Sequence, residues 1–152
     1  MRTEACINER VVAEALSWRG TPYRHQGRQR GVGCDCLGLI VGVWQGLYGK
    51  APAMVPDTYS LDWAETGADD LLLQAARAHF RACPSSPEIG VPAPGNLMLL
   101  RWHENAPATH CAIALPQNRM IHAYEQHGVV VSALNRHWRN RIAGVFAFPA
   151  HI

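Results

Sequence analysis

The amino-acid sequence predicts an α+β fold, with a helical half followed by an antiparallel sheet. Three observations predict it. Apolar residues recur at helical spacing through the first half. From residue 96 onward they fall into short runs separated by turn residues. Between the halves, residues 84 to 95 are rich in proline, which neither element tolerates in its interior. Helices first and strands second is the order of an α+β domain rather than of alternating βαβ units. With 152 residues and 48% hydrophobic composition, the chain suits one domain spanning 1 to 152, with a core that needs no disulfide staples.

Residues 5 to 19 place Ile7, Val11, Ala15 and Trp18 on one stripe, with Glu9 and Glu14 off it, which predicts a first helix. Gly20, Thr21 and Pro22 stop it. The glycines and arginines of residues 20 to 34 read as a loop. A second helix is predicted from about 36 to 48, ending near Gly49, and residues 50 to 60 read as a proline-rich loop. The stretch "TGADDLLLQAARAHFRA" predicts a third helix, capped by Thr66, with Asp69 and Asp70 in its first turn. Strands are predicted at 96 to 102, 109 to 115, 119 to 124, 128 to 133 and 143 to 148.

Composition narrows the function classes. A net charge of +2 is too weak to argue for nucleic acid, and the arginine clusters at 24 to 30 and 136 to 141 lack interleaved stacking aromatics. The longest apolar run, 36 to 44, is too short to span a bilayer. The opening "MRTEACINER" has no apolar core of a signal peptide. Five cysteines at irregular spacing make a poor disulfide framework and suggest a reducing compartment. The expectation is a protein made in the cytoplasm, without export signal or membrane insertion.

The stretch "GVGCDCLGLIVGVW", residues 31 to 44, sets two thiols at the mouth of a buried helix. A metal clip, a redox pair and a nucleophile compete to explain it. Cys34, Cys36, His110 and Cys111 would offer four ligands, but zinc sites favour two to four residues between paired cysteines, and adjacent strand residues point to opposite faces. A redox pair more often reads C-x-x-C beside a βαβ unit. The nucleophile has more physics behind it. Asp35 is a good N-cap, so Cys36 becomes the first residue of helix two, where the positive helix end stabilises a thiolate and the same amides can hold an oxyanion. No metal or organic cofactor is implied.

A cysteine nucleophile needs a base, and the base an orienting group. Of eight histidines, His79 falls on a helix surface, and His137 and His151 fall in loop or tail. His25, His103, His110, His122 and His127 remain. His110 opens a strand whose face then carries only Ala112 and Ala114. Gly38, Gly42 and Gly46 form a flat stripe on helix two, and that stripe is expected to lie against the alanine face and so bring His110 to Cys36. A three-residue turn, Pro116 to Asn118, would put His122 on the same face as His110.

Taken in order, "GTPYR" (20 to 24), "GCDCLGLI" (33 to 40), "GNLMLLR" (95 to 101), "THCAIAL" (109 to 115) and "MIHA" (120 to 123) resemble the NlpC family of papain-like cysteine peptidases, which cut bacterial cell-wall peptides. These blocks spread over about two-thirds of the chain. The resemblance implies a papain-like fold, with Cys36 as nucleophile, His110 as base and His122 as the orienting third residue. It also implies that Tyr23 and Asp35 border the substrate beside the nucleophile. The substrate would be a peptidoglycan stem peptide, cut between D-glutamate and diaminopimelate or at a nearby crosslink. The "YRHQ…GVGCDCLG" variant is similar to peptidases encoded beside the tail genes of phages and gene transfer agents. That likeness implies tail or baseplate partners and action on the wall from a virion-like particle. Two departures bear on substrate preference: Leu37 replaces the usual serine, and His25-Gln26-Gly27 replaces the usual Trp-Gly-Gly. A structural tail protein with a vestigial site, or a cytosolic amidase or acyltransferase recycling wall peptides, would fit the same blocks.

Overall fold

A computed structural model describes residues 2–52, 71–83, 92–103 and 105–152. Four helices and eight strands run in the order α1 (Arg2–Leu16), β1 (Arg28–Gln29), β2 (Gly33–Cys34), α2 (Cys36–Tyr48), α3 (Leu71–His79), β3 (Arg81–Ala82), β4 (Leu97–Leu100), β5 (His110–Leu115), β6 (Arg119–Tyr124), β7 (Gly128–Ala133), α4 (Arg136–Arg139) and β8 (Ile142–Ala147) among the described residues. The α+β order holds. Thr66, Asp69 and Asp70, most of the 50 to 60 loop, and Pro84 with its following prolines up to residue 91 lie outside the described residues. Among the described residues no helix is long and apolar enough to cross a membrane.

The large sheet has the order β3-β8-β4-β5-β6-β7, and every pair in it is antiparallel. β5 and β6 are joined by Pro116, Gln117 and Asn118, and Gln117 and Asn118 take positive φ. This three-residue turn pairs Ile113 with Ile121 and Ala114 with Met120. Odd residues of the two strands therefore share one face and even residues the other. His110 and His122 fall on the same face, as the turn length predicts.

The two faces meet different partners. Cys111, Ile113, Leu115, Ile121, Ala123 and Val129 belong to the main core with Val11, Ala15, Trp18, Leu39 and Val43 of the first two helical segments. On the reverse face Ala112 and Ala114 join Met98, Leu100, Met120 and Leu134 under Trp138. Trp138 comes from α4, a four-residue helix capped by Asn135 where the sequence predicts loop. A helix this short carries no periodic signal.

The expected contact between the glycine stripe and the alanine face is therefore overturned. A Cβ at Gly42 would strike the Trp18 ring, one at Gly46 the Glu14 carboxylate, and one at Gly38 the carbonyl of Gly27. The stripe packs on α1 and the loop before β1, and α2 covers the odd face of β5, whereas Ala112 and Ala114 lie on the even face. Periodicity identifies which residues share a face but not what that face meets.

Residues 20 to 34 hold more order than a loop. β1 and β2 form a small hairpin, and Tyr23 makes a bridge with Cys34. The Gly31 amide donates to the Thr21 hydroxyl at 2.9 Å, and the Val129 amide donates to the Thr21 carbonyl at 2.8 Å. The hairpin is thus tied to β7, and Tyr23 is held beside the start of α2.

Candidate active site

Cys36 is the first residue of α2, as the capping pattern predicts. Asp35 is buried and extended, and its Oδ1 accepts from the Gly38 amide at 2.7 Å. Its Oδ2 accepts from the Gln26 amide at 2.8 Å, with His25 Nδ1 a further 3.8 Å contact. Both carboxylate oxygens are thus engaged within the chain. In this position Asp35 fixes the helix end that presents Cys36. Tyr23 stays beside the nucleophile, half-buried. Burial raises its pKa above the ordinary phenol value, and the neighbouring Cys36 adds to the rise, so it remains a neutral hydrogen-bond donor.

The Cys36 thiol sits at the start of β5. Its Sγ donates to the Thr109 carbonyl oxygen at 3.8 Å, and His110 and Cys111 are its titratable neighbours. α2 lies on the odd face of β5 and His110 points from the even face. They meet because His110 is the first residue of its strand, at the rim where both faces are within reach. The Cys36 thiol is lowered to about 5 by the hydrogen bond from Cys111 and by the hydrogen bond and charge of His110, against the opposing effect of burial. Its neighbour Cys34 goes the other way: burial pushes that thiol up to about 12. Two cysteines one residue apart are thus set far apart in reactivity. Cys111 is also raised, by its hydrogen bond to Cys36 and by burial.

His110 Nε2 lies 2.8 Å from His122 Nδ1, and His122 Nε2 lies 2.9 Å from Ser132 Oγ. His110 is 5% exposed and His122 fully buried. Burial lowers His122 to about 3, assisted by the charges of His110 and His127, so it is neutral at any ordinary pH. A neutral imidazole can accept from His110 without competing for positive charge. The ring plane of Trp102 stacks on His110 with centroids 5.4 Å apart, and Trp138 and Tyr124 flank it at 6.0 and 6.2 Å.

The structure brings Cys36, His110, His122 and Tyr23 together. It does not bring in His103, which is exposed, or His25, which stands at the Asp35 cap. His127 is exposed and reaches the site only through Tyr124, at 5.5 Å between centroids, and through its charge on His122. Sequence reasoning missed Trp102, Tyr124, Trp138, Cys111 and Ser132 as members of the site. Only Ser132 carried a usable signal: it shares the parity of Val130, the register partner of His122. Among the described residues no three His, Cys, Asp or Glu side chains are grouped as metal ligands would be.

Chemically, this arrangement presents a thiolate at a helix N-terminus against an imidazole whose far nitrogen is already held. Nε2 of His110 is engaged by His122, so Nδ1 is left to face the thiol. Of the first amides of α2, that of Gly38 is taken by Asp35 Oδ1 and that of Leu39 by the Asp35 carbonyl, which leaves those of Cys36 and Leu37 at the open end of the helix. An acyl group carried on Cys36 would place its oxyanion at those donors.

A family model described as the NlpC/P60 family matches residues 20–147. Among solved structures, NlpC1 from Trichomonas vaginalis is 16% identical, with a TM-score of 0.64 over 93% of this chain and 44% of that one. The NlpC/p60 domain of the peptidoglycan hydrolase SagA is 20% identical, with a TM-score of 0.57 over 93% and 98% of the two chains. RipD from Mycobacterium tuberculosis, a non-catalytic NlpC/p60 domain protein adapted to peptidoglycan binding, is also 20% identical, with a TM-score of 0.55 over 93% and 95%. The chain spans less than half the length of the Trichomonas vaginalis chains it matches. No curated protein matches the sequence. The solved relatives share the papain-like α+β fold.

Proposed function

The chain belongs to the NlpC/P60 family, and from that premise and the site geometry we propose that it is a cysteine peptidase acting on peptidoglycan stem peptides. The observation that carries the reading is the linked set of Cys36, His110 and His122, with the thiol held low and the third residue held neutral. His110 Nδ1 takes the proton of Cys36. The thiolate attacks the amide carbonyl, and the oxyanion is met by the first amides of α2. His110 then protonates the leaving amine, and water, activated by the same imidazole, clears the acyl-enzyme. Tyr23, neutral beside the sulfur, would donate to substrate.

The scissile bond we propose is that between D-glutamate and diaminopimelate, or a crosslink close to it, on the likeness of the sequence blocks. On the likeness of "YRHQ…GVGCDCLG" to tail-associated peptidases, we further propose synthesis in the cytoplasm and delivery to the wall as part of a phage-like tail, alongside tail or baseplate proteins. RipD sets the alternative, a module that binds wall without cutting it. The linked thiol and histidines favour cutting.

The test is digestion of purified sacculi, with mass analysis of the fragments. The wild-type chain is expected to release fragments with new termini in the stem peptide. Cys36→Ala and His110→Ala should each lose release by at least about a thousandfold, and His122→Ala should lose less, because nucleophile and base remain. Binding to sacculi without release by the wild type would favour the non-catalytic reading.

A further inference from the structure

The chain of hydrogen bonds at the site does not end at His122. We propose that Ser132 is a positioning residue that fixes the tautomer of His122 and, through it, the orientation of the His110 base. The proposal rests on the peptidase reading for its consequence but on proton counting and geometry for its content.

Three contacts lie in series: Cys36 with His110, His110 Nε2 with His122 Nδ1 at 2.8 Å, and His122 Nε2 with Ser132 Oγ at 2.9 Å. A thiolate–imidazolium pair requires a proton on both nitrogens of His110. Its Nε2–H must then donate, so His122 Nδ1 must be the acceptor. A neutral imidazole carries one proton, which therefore lies on His122 Nε2. That N–H is buried and needs an acceptor, and Ser132 Oγ is the atom at hydrogen-bond distance. The opposite tautomer would aim an Nδ1–H at His110 and force a lone pair onto its Nε2. His110 would then carry its own proton on Nδ1, toward the sulfur, and could not receive another from Cys36 there.

The register makes the contact obligatory rather than fortuitous. β7 pairs with β6 so that His122 faces Val130 and Met120 faces Ser132. Ser132 is thus the diagonal neighbour of His122 on the same face of the sheet. The titratable groups facing His122 are His110 from β5, and Tyr124 and His127 from the end of β6 and its turn. None of these is placed to accept from Nε2, since His110 occupies the other nitrogen and Tyr124 meets the ring edge-to-face with centroids 5.3 Å apart.

The experiment is nitrogen NMR of the full chain labelled in histidine, which reads which ring nitrogen of His122 carries hydrogen. It is run on the wild type, Ser132→Ala and Ser132→Thr. The wild type should show His122 with hydrogen on Nε2. Ser132→Ala should mix the tautomers and lower kcat on wall fragments by about tenfold with KM unchanged, since one ordinary hydrogen bond biases an equilibrium by about that factor. Ser132→Thr, which keeps the hydroxyl, should restore both. A wild-type His122 with hydrogen on Nδ1, or a folded Ser132→Ala with unaltered tautomer and kcat, would overturn the proposal. If Ser132→Ala fails to fold, the wild-type tautomer and the Thr variant still decide. A wild type that cuts no sacculi yet shows the Nε2 tautomer, lost in Ser132→Ala, would sink the peptidase reading and leave this one standing.

Discussion

On the odd face of the sheet, Cys111, Ile113, Leu115, Ile121 and Ala123 meet α1 and α2 in an apolar layer. On the even face, His110 and His122 stand among Trp102, Tyr124 and Trp138, over a smaller cluster built on Met98, Leu100, Ala112, Ala114 and Met120. Both faces bury a helix, but α2 is thirteen residues long and α4 only four. The first face is a packing surface: glycines at 38, 42 and 46 let α2 approach α1 and the preceding loop, and so fix the helix that begins at Cys36. The second is a polar surface made tolerable by aromatics. His110 Nε2 and both nitrogens of His122 have partners there, which removes the cost of burying them unpaired. The reactive thiol belongs to neither face. It sits at the rim where β5 begins, and it takes rigidity from one face and a base from the other.

If that division is right, the largest effect comes from cutting the link between the faces. Cys36 is held near 5, so the folded protein favours the thiolate. The contribution of this depressed group to stability is fully present above the unfolded thiol value of about 8.5 and is lost as pH falls through about 5. Iodoacetamide labelling of Cys36 should show its midpoint near pH 5, well below that of an ordinary thiol. In His110→Ala the midpoint should rise by about two pH units or more, because the imidazole contributes both a hydrogen bond and a charge. The midpoint is the proper readout, since a lower pKa also weakens the intrinsic nucleophilicity of the sulfur. His103→Ala, on an exposed residue away from the site, should leave the profile in place. A midpoint that stays low in His110→Ala would mean that the even face contributes nothing to the thiol.

A smaller effect should follow from disturbing the packing face alone. In Gly42→Leu the new side chain is driven into the Trp18 ring. Overpacking of this kind typically costs about 1 to 3 kcal/mol, and for a chain of this size each kcal/mol lowers Tm by roughly 2 to 4 °C. Activity should fall further than stability implies, because a displaced α2 carries Cys36 away from His110 and small misplacements cost rate steeply. Calorimetry and sacculus digestion on the same preparation separate the two. A variant with unchanged Tm and full activity would show that the stripe is not a close contact.

How much of this was legible beforehand follows from the same contrast. The strands, the Asp35 cap and the Gly49 end of α2 could be read because period, cap and turn chemistry are local. Gly49 takes φ of 82° and its amide closes on Gln45, as a helix-terminating glycine should. The shared face of His110 and His122 was legible because a three-residue turn fixes parity. What the glycine stripe meets was not legible, since tertiary packing decides it, and Trp18 lies beyond the end of its own helix. Trp102 and Trp138 were hidden in a strand end and a four-residue helix. Ser132, next to the end of a valine-rich strand, was legible only through its parity with Val130. Cys111 sits among small apolar neighbours in β5, and nothing local marks it as a neighbour of the thiol.

Cys111 offers the finest test, because it is the packing face's own contribution to the thiol. It is buried on the odd face, and its hydrogen bond to Cys36 is the foremost cause of the lowered thiol pKa. Its own pKa is raised, so it keeps its proton and donates. Cys111→Ala removes that donor, and the Cys36 labelling midpoint should rise. The rise should be smaller than in His110→Ala: a thiol is a weak donor, whereas an imidazolium brings a full charge as well. Cys111→Ser keeps a hydroxyl donor at the same place and should hold the midpoint low. Stability should change little, by about 1 kcal/mol in Cys111→Ala, since only one sulfur leaves the core. Equal rises in Cys111→Ala and His110→Ala would assign the two faces equal shares in activating the thiol. No rise in Cys111→Ala would return that face to packing alone.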